Sequence, residues 1–157
     1  MVLENMKTER LSKMNQDIIA KAAIIIKENT VHGGKAGFGI CTLSLIDAEG
    51  FPTASIVTPS KSEGIDWITF GTMLDQNRAK RVKDCNRASI CFGAYEYCIN
   101  LVGEIEIITS DDVKRDMWYD GLGHHFTGAD DPNYCVLKFT TKRYKLFLDY
   151  EDVAGTV

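Results

Sequence analysis

Apolar residues recur at helical spacing near the start of the chain: Leu11, Met14, Ile18, Ala22 and Ile25 fall three or four apart, with Lys13, Asp17, Lys21 and Glu28 between them. This spacing predicts a helix over about 8–29, ending before Gly33-Gly34. The period then changes. From Ala36 to Ile46, Phe38, Ile40, Thr42, Ser44 and Ile46 share one parity while Cys41, Leu43 and Leu45 share the other, as in a strand. Asp47-Ala48-Glu49-Gly50 reads as a turn, Phe51 to Thr58 as a second strand, Ser60 to Gly64 as a polar turn, and Ile65 to Gly71 as a third strand closing a meander.

A short basic helix is expected from Asp75 to about Asp84, with Ala79 and Val82 facing inward. Ala88–Ala94 and Tyr97–Thr109 read as a hairpin whose second strand is wet on one face, at Glu104 and Glu106, and carries a bulge or close approach at Gly103. Ser110-Asp111-Asp112 begins a third helix, with Ser110 as capping side chain, that ends near Gly121. A polar loop over 123–133 leads to two final strands, Tyr134–Phe139 and Tyr144–Tyr150. The order of meander, helix, hairpin, helix, hairpin is not the alternation of a doubly wound sheet, and a small barrel protects that many antiparallel edges.

Composition narrows the class without changing the architecture. A chain of 157 residues, 45% hydrophobic and 25% charged, suits one domain with a core. A net charge of -4 disfavours a general nucleic-acid binder, and the longest apolar run, Ala22 to Ile26, is too short for a membrane span, so a cytoplasmic protein is expected. Five cysteines (Cys41, Cys85, Cys91, Cys98, Cys135) form no CxxC pair, and most are expected as small buried apolar groups; Trp67 and Trp118 are expected in cores.

The candidate chemistry lies between Phe51 and Phe92. A strand ending at Gly71-Thr72 delivers the chain into the basic helix, where Thr72 offers a hydroxyl and Arg78 a bidentate guanidinium to an anion; Arg78, Lys80 and Arg81 cannot all point at one atom, so one or two of them contact it at most. Mere solvation of an exposed helix by these charges is an equally good reading of the pattern alone. His124-His125, near Asp130, Asp131 and Cys135, match no metal-site spacing.

The stretch Phe70-Gly71-Thr72 through Arg78-Ala79-Lys80-Arg81-Val82, followed by Asn86-Arg87-Ala88-Ser89-Ile90-Cys91-Phe92, resembles the superfamily of pyridoxamine phosphate oxidase and the flavin-binding general stress proteins. Pro52–Thr58 resembles that family's flavin-edge strand, and Asn100-Leu101-Val102-Gly103-Glu104-Ile105-Glu106 resembles the strand that reaches the flavin of the other subunit. The likeness runs from about Ile18 to Asp149. It implies a mainly β fold with flanking helices: a split β-barrel of antiparallel Greek-key type with about six to seven strands and three helices. One FMN-binding domain would span 1–157, its barrel covering about 36–150.

The resemblance further implies FMN held between the subunits of a homodimer. Arg78 would grip the phosphate beside Thr72 and Asn77, Ser55, Ile56, Val57 and Thr58 would run along the ring edge, and Thr69, Phe70 and Gly71 would form the next strand. Cys98 and Asn100 would reach across the dimer, although burial as an apolar thiol is the plainer role for Cys98. Two departures matter. Ser55 stands where the oxidases place a phosphate-binding arginine, with Lys61 or Lys80 as compensation, and the tail Lys145–Tyr150 lacks the Arg-x-His segment that holds pyridoxal phosphate. Trp118-Tyr119, the Phe126–Asp131 loop and Pro132 are closer to the general stress branch.

The expected activity is an oxidoreductase acting on a small molecule, with a reductant such as NADH or NADPH. A flavin-holding or stress-sensing protein without turnover is the alternative, and the same fold with haem or deazaflavin is a third. His124 or His125 would face the substrate side as proton donor or anion contact.

Overall fold

The computed structural model describes residues 1–34 and 39–157. The expected start of the first strand at Ala36, with Phe38, lies outside the described residues. Helix α1 (Val2–Glu28) begins earlier than its periodicity suggests, and only its second half is anchored: Ile18, Ala22 and Ile26 are buried, whereas Leu11 is exposed.

Strands β1 (Cys41–Ile46) and β2 (Pro52–Val57) pair antiparallel about the Asp47–Gly50 turn, in which Gly50 has φ 88° and Asp47 accepts from the backbone N–H groups of Glu49 and Phe51. The expected meander then fails. Ser60 to Glu63 is no turn: it belongs to β3 (Pro59–Glu63), which pairs with β4 (Trp67–Met73). Strand β2 pairs with neither of them, because the chain swings at Thr58 to the opposite end of the sheet. The two strands that begin with proline, β2 and β3, are the outermost members of the main path, where a missing N–H does least harm.

Helix α2 (Asn77–Asp84) leads into the hairpin β5 (Arg87–Ala94) and β6 (Tyr97–Ile108). Helix α3 (Asp111–Met117) starts at Ser110, whose hydroxyl makes no capping hydrogen bond; Asp111 and Asp112 supply favourable charge in the first turn instead. The helix stops at Met117, short of the expected end near Gly121, and a 3-10 turn (Asp120–His124) spans that end and the start of the expected loop.

The two expected final strands are one, β7 (Tyr134–Leu148). From Val136 onward it runs beside β6, its first half also pairs with β4, and its second half pairs with an unexpected strand, β8 (Glu151–Thr156). The reversal into β8 is made by Asp149 and Tyr150 at φ 52° and 64°, the left-handed pair of a two-residue hairpin. Where β6 meets β7 the register slips beside Gly103, and a Cβ there would lie 2.0 Å from the carbonyl oxygen of Thr140. Glycine thus serves both of its expected roles at this position.

The sheet is antiparallel throughout in the order β2-β1-β5-β6-β7-β4-β3, with β8 branching from β7, and its curl encloses the main core as a split barrel. Leu43, Phe70, Ile90, Ile99, Leu101 and Phe139 fill that core, under Ile18, Ala22 and Ile26 of α1 and Val82 of α2. A second cluster packs around β4 and β7 from Met117, Leu122, Phe126, Tyr134 and Val136, with Trp67 and Trp118 at its margin. No helix among the described residues is long and apolar enough to cross a membrane.

Candidate functional site

Three segments far apart in sequence meet at the end of β4. Strand β2 delivers Ser55 to the first turn of α2, and β4 delivers Thr72 to the same place. The Arg78 guanidinium stands between them, donating to the Thr72 and Ser55 hydroxyls at 3.5 and 3.4 Å. Both contacts are long, so neither hydroxyl saturates it. Among the described residues no carboxylate pairs with Arg78, and partial burial together with the nearby charge of Arg81 lowers its pKa. A desolvated guanidinium with two weak hydroxyl partners is an anion receptor with unspent donors.

Arg81 is engaged differently: it donates to Thr53 Oγ1 at 2.8 Å and so ties α2 to β2. Ala79 and Val82 are buried beneath, and the same packing that fixes the helix therefore fixes the direction of Arg78. The basic helix is more than a solvated surface.

Arg78 lies on the wall of a groove of about 260 Å³, lined by Ile56, Val57, Thr58, Gly71, Thr72, Met73, Gln76, Tyr119, Leu122, His125 and Phe126. Gly71 leaves the floor open; a Cβ there would come 3.0 Å from Leu122. The far wall is the loop after α3, held by an interlocked set of bonds. The Asp131 carboxylate accepts from Thr127 and from the Asn133 backbone, while buried Lys114 donates to the Asp131 carbonyl at 2.8 Å and sits 5.6 Å from the Tyr134 ring centroid. The Asn133 side chain bonds both the backbone N–H and the carboxylate of Asp75. The hydrogen bonds from the Thr127 and Asn133 backbone N–H groups hold the Asp131 carboxyl below its ordinary pKa, and the Asn133–Asp75 pair joins the loop to the turn that begins α2.

The structure thus brings together Ser55, Ile56, Val57, Thr58, Gly71, Thr72 and Arg78. Others lie elsewhere. Asn77 and Lys80 border a separate depression with Asp47, Glu49, Arg81 and Asp84. Lys61 is paired with Asp116 at 2.7 Å, so it does not compensate for the arginine absent at position 55. Phe70 is core, and the Thr69 hydroxyl accepts from Lys61 N–H and contacts Met117 Sδ inside the protein.

Cys98 and Asn100 lie on the exposed outer face of β6, outside this groove. The expectation of a buried Cys98 is corrected, because its parity on the strand is that of Asn100 and Glu104 rather than of Ile99 and Leu101. Nor are most of the cysteines buried: only Cys41 and Cys135 are. His125 lines the groove and His124 does not, as neighbours on a loop diverge. Met73, Gln76 and Leu122 carried no signal in the sequence, since apolar and amide side chains mark a groove wall only once the chain has folded around it.

The fold thus sets a groove at the end of a split β-barrel, with an arginine and two hydroxyls at one end and an aromatic loop along its side. The family model described as pyridoxamine 5'-phosphate oxidase matches residues 31–147, and the chain belongs to that family. No curated protein sequence matches the chain significantly. Among solved structures, it is similar to a Clostridium acetobutylicum protein related to general stress protein 26 of Bacillus subtilis, at 20% identity, 91% coverage of this chain, 96% of that one and a TM-score of 0.73. A Mycobacterium smegmatis heme-binding protein matches at 18% identity over 88% of this chain and 57% of that one, with a TM-score of 0.66. A Nostoc punctiforme FMN-binding protein related to pyridoxamine 5'-phosphate oxidase matches at 12% identity over 75% and 87%, with a TM-score of 0.52.

Proposed function

We propose that this chain binds FMN and acts as a cytoplasmic, homodimeric oxidoreductase on a small molecule, with a reductant such as NADH or NADPH. The observation that carries the reading is the Arg78 guanidinium, partly desolvated, without a carboxylate partner among the described residues and aimed between two hydroxyls at the groove's end. That donor set suits a terminal phosphate. The Ile56–Thr58 and Gly71–Met73 segments offer backbone and an open floor for a flat ring system, with Tyr119 and Phe126 alongside.

A volume of about 260 Å³ falls below the roughly 300–1,000 Å³ usual for a cofactor pocket. A second copy supplies the missing wall. Ile56, exposed at the groove's lip, shares its face of the sheet with Thr42, Cys91 and Asn100 through successive cross-strand pairs. The row is uncharged from Ile56 to Asn100, which suits a two-fold contact, and that contact would present Cys98 and Asn100 of the partner subunit to the ring. When bound, FMN supplies the electron chemistry, while the chain anchors the phosphate, orients the ring and excludes water.

Purified protein incubated with FMN and gel-filtered should retain flavin absorption and elute as a dimer, and Arg78→Ala should lose most of the flavin. Colourless wild-type protein would refute the reading. Reduction of bound flavin by NADH or NADPH, followed by substrate-dependent reoxidation, separates an enzyme from a flavin-holding protein without turnover. His125 on the groove supports a second reading, haem with an axial imidazole; a Soret band lost in His125→Ala would favour it.

A further inference from the structure

Helix α1 is longer than its seat on the barrel. Its buried stripe begins at Ile18, and every residue from Met1 to Lys13 is exposed, so nearly half of the helix stands off the body as an arm. On a helical projection Leu3, Met6, Lys7, Arg10 and Lys13 fall within about 120° of the circumference, whereas Glu4 and Glu9 lie outside that sector. One face of the arm is therefore apolar and basic, with no acid in it. Leu3 and Met6 are 84% and 61% exposed, and Lys7, Arg10 and Lys13 have no ion-pair partner among the described residues. A helical stretch this short is marginal in water without a surface to pack on.

Where the helix leaves the barrel, Lys21 is ion-paired with Asp149 in the β7–β8 turn. The β5–β6 turn lies beside it, since Tyr97 pairs with Leu148. These two tips carry exposed aromatic rings: Tyr95 is fully exposed, and Tyr150, 94% exposed, meets Phe147 edge-on at 6.5 Å between centroids. Around them Glu96, Glu151 and Asp152 are exposed and have no ion-pair partner among the described residues. This end of the barrel is aromatic and acidic, the counterpart of the apolar and basic arm. The chain's own arm leaves it bare, because an unbroken helix cannot fold back and Lys13 already stands about 12 Å beyond Lys21. Only the arm of another molecule reaches these tips.

We propose that residues 1–13 dock on the barrel end of a second copy of this chain, with Leu3 and Met6 against Tyr95 and Tyr150, and Lys7, Arg10 and Lys13 among Glu96, Glu151 and Asp152. Each chain owns one arm and one receptor, so a two-fold axis satisfies both together and closes the assembly at two. The exchange rests on the homodimer proposed above and extends its contact: Phe147 pairs with Cys98 and so borders the same outer face. An anionic lipid surface would suit the arm taken alone. It does not suit the acidic tips beside the arm, which it would repel.

The test mixes isotopically light and heavy full-length protein and treats it with a zero-length carbodiimide, which joins an ammonium to a carboxylate only where the two touch. Peptides linking light to heavy chains through Lys7 or Lys13 to Glu96, Glu151 or Asp152 are expected. In sedimentation, Lys7→Glu/Arg10→Glu and Glu151→Lys/Asp152→Lys should each weaken the dimer at least about tenfold, and the four changes together should restore it. All four side chains are exposed, so the barrel itself is not challenged. Links confined within single chains, or no recovery in the fourfold variant, overturn the exchange. So does binding of the wild type to phosphatidylserine vesicles that Lys7→Glu/Arg10→Glu abolishes without weakening the dimer. Charge-reversed dimers that keep both full affinity and bound flavin overturn the exchange and leave the FMN homodimer standing, whereas wild-type protein that sediments as a monomer removes both.

Discussion

Substituting Gly103 by alanine tests the account of how β6 and β7 are held together. The new Cβ would lie 2.0 Å from the Thr140 oxygen, 2.9 Å from its carbonyl carbon and 3.1 Å from Phe139 Cζ. A carbon–oxygen contact across a sheet normally settles at about 3.3–3.6 Å, so the strands must part locally by more than about 1 Å. Phe139 is fully buried and gives no room. Loss of two or three ladder hydrogen bonds at about 1 kcal/mol each, with overpacking of similar size, gives a destabilisation of about 3 kcal/mol or more. For a chain of this length that lowers Tm by about 6–12 °C. The control is Gly93→Ala on β5, where a Cβ meets nothing within 4 Å and the change should stay within about 1 kcal/mol of neutral. Thermal melts followed by circular dichroism decide the matter: a Gly103→Ala protein melting within about 2 °C of wild type would refute the reasoning.

Other consequences are equally direct. Lys114→Met removes the donor to the Asp131 carbonyl and the cation beside Tyr134, and should cost about 1–3 kcal/mol in denaturant unfolding, with increased proteolysis of the 127–133 loop. Asp131 has a depressed folded-state pKa, so its contribution is present above the unfolded value near 4 and is lost as pH falls through the folded value; Asp131→Asn should flatten the acid limb of the stability curve measured from pH 6 down to about 2. Burial pushes the Cys41 thiol up to about 12 and Cys135 up to about 11, so a thiol reagent at pH 8 should count at most three fast thiols in native protein and five after denaturation. Leu146→Ala, at a fully buried site, should cost about 2–5 kcal/mol.

Much of the barrel was legible because its strands alternate cleanly: Cys41, Leu43 and Leu45 turn inward as their parity requires, and Ile99, Leu101 and Ile105 do the same opposite exposed Asn100, Glu104 and Glu106. Strand β3 was not legible. Ser60-Lys61-Ser62-Glu63 has the composition of a turn, and its strand character comes from pairing with β4 and from the Val31 and His32 N–H groups that donate to Pro59 and Ser60 carbonyls. The continuity of β7 through Thr140–Arg143 was hidden for a similar reason, since a polar run inside a strand looks like a reversal unless the neighbouring register slip is known. At the site, Thr72 and Arg78 could be paired from the strand that runs into the basic helix, whereas Ser55 came only from the family resemblance, because nothing in the local pattern brings β2 to that helix. Lys80 borders the neighbouring depression because the helix turns it away from Arg78, and the groove wall from Tyr119 to Phe126 depends on how the loop folds back on β4.

Strand β7 also sets a schedule. It is the common partner of β4, β6 and β8, joining Trp67 to Thr140 and Tyr97 to Leu148. Until residues 134–148 have left the ribosome, the inner edges of β4 and β6 have no partner within their own chain, although the residues of α1, β1, β2 and the β5–β6 hairpin are already made. Such long-range closure is slow, and open strand edges recruit one another between molecules in the meantime. Synthesis of this barrel therefore passes through an interval in which the strands on either side of β7 are made and the strand that joins them is not.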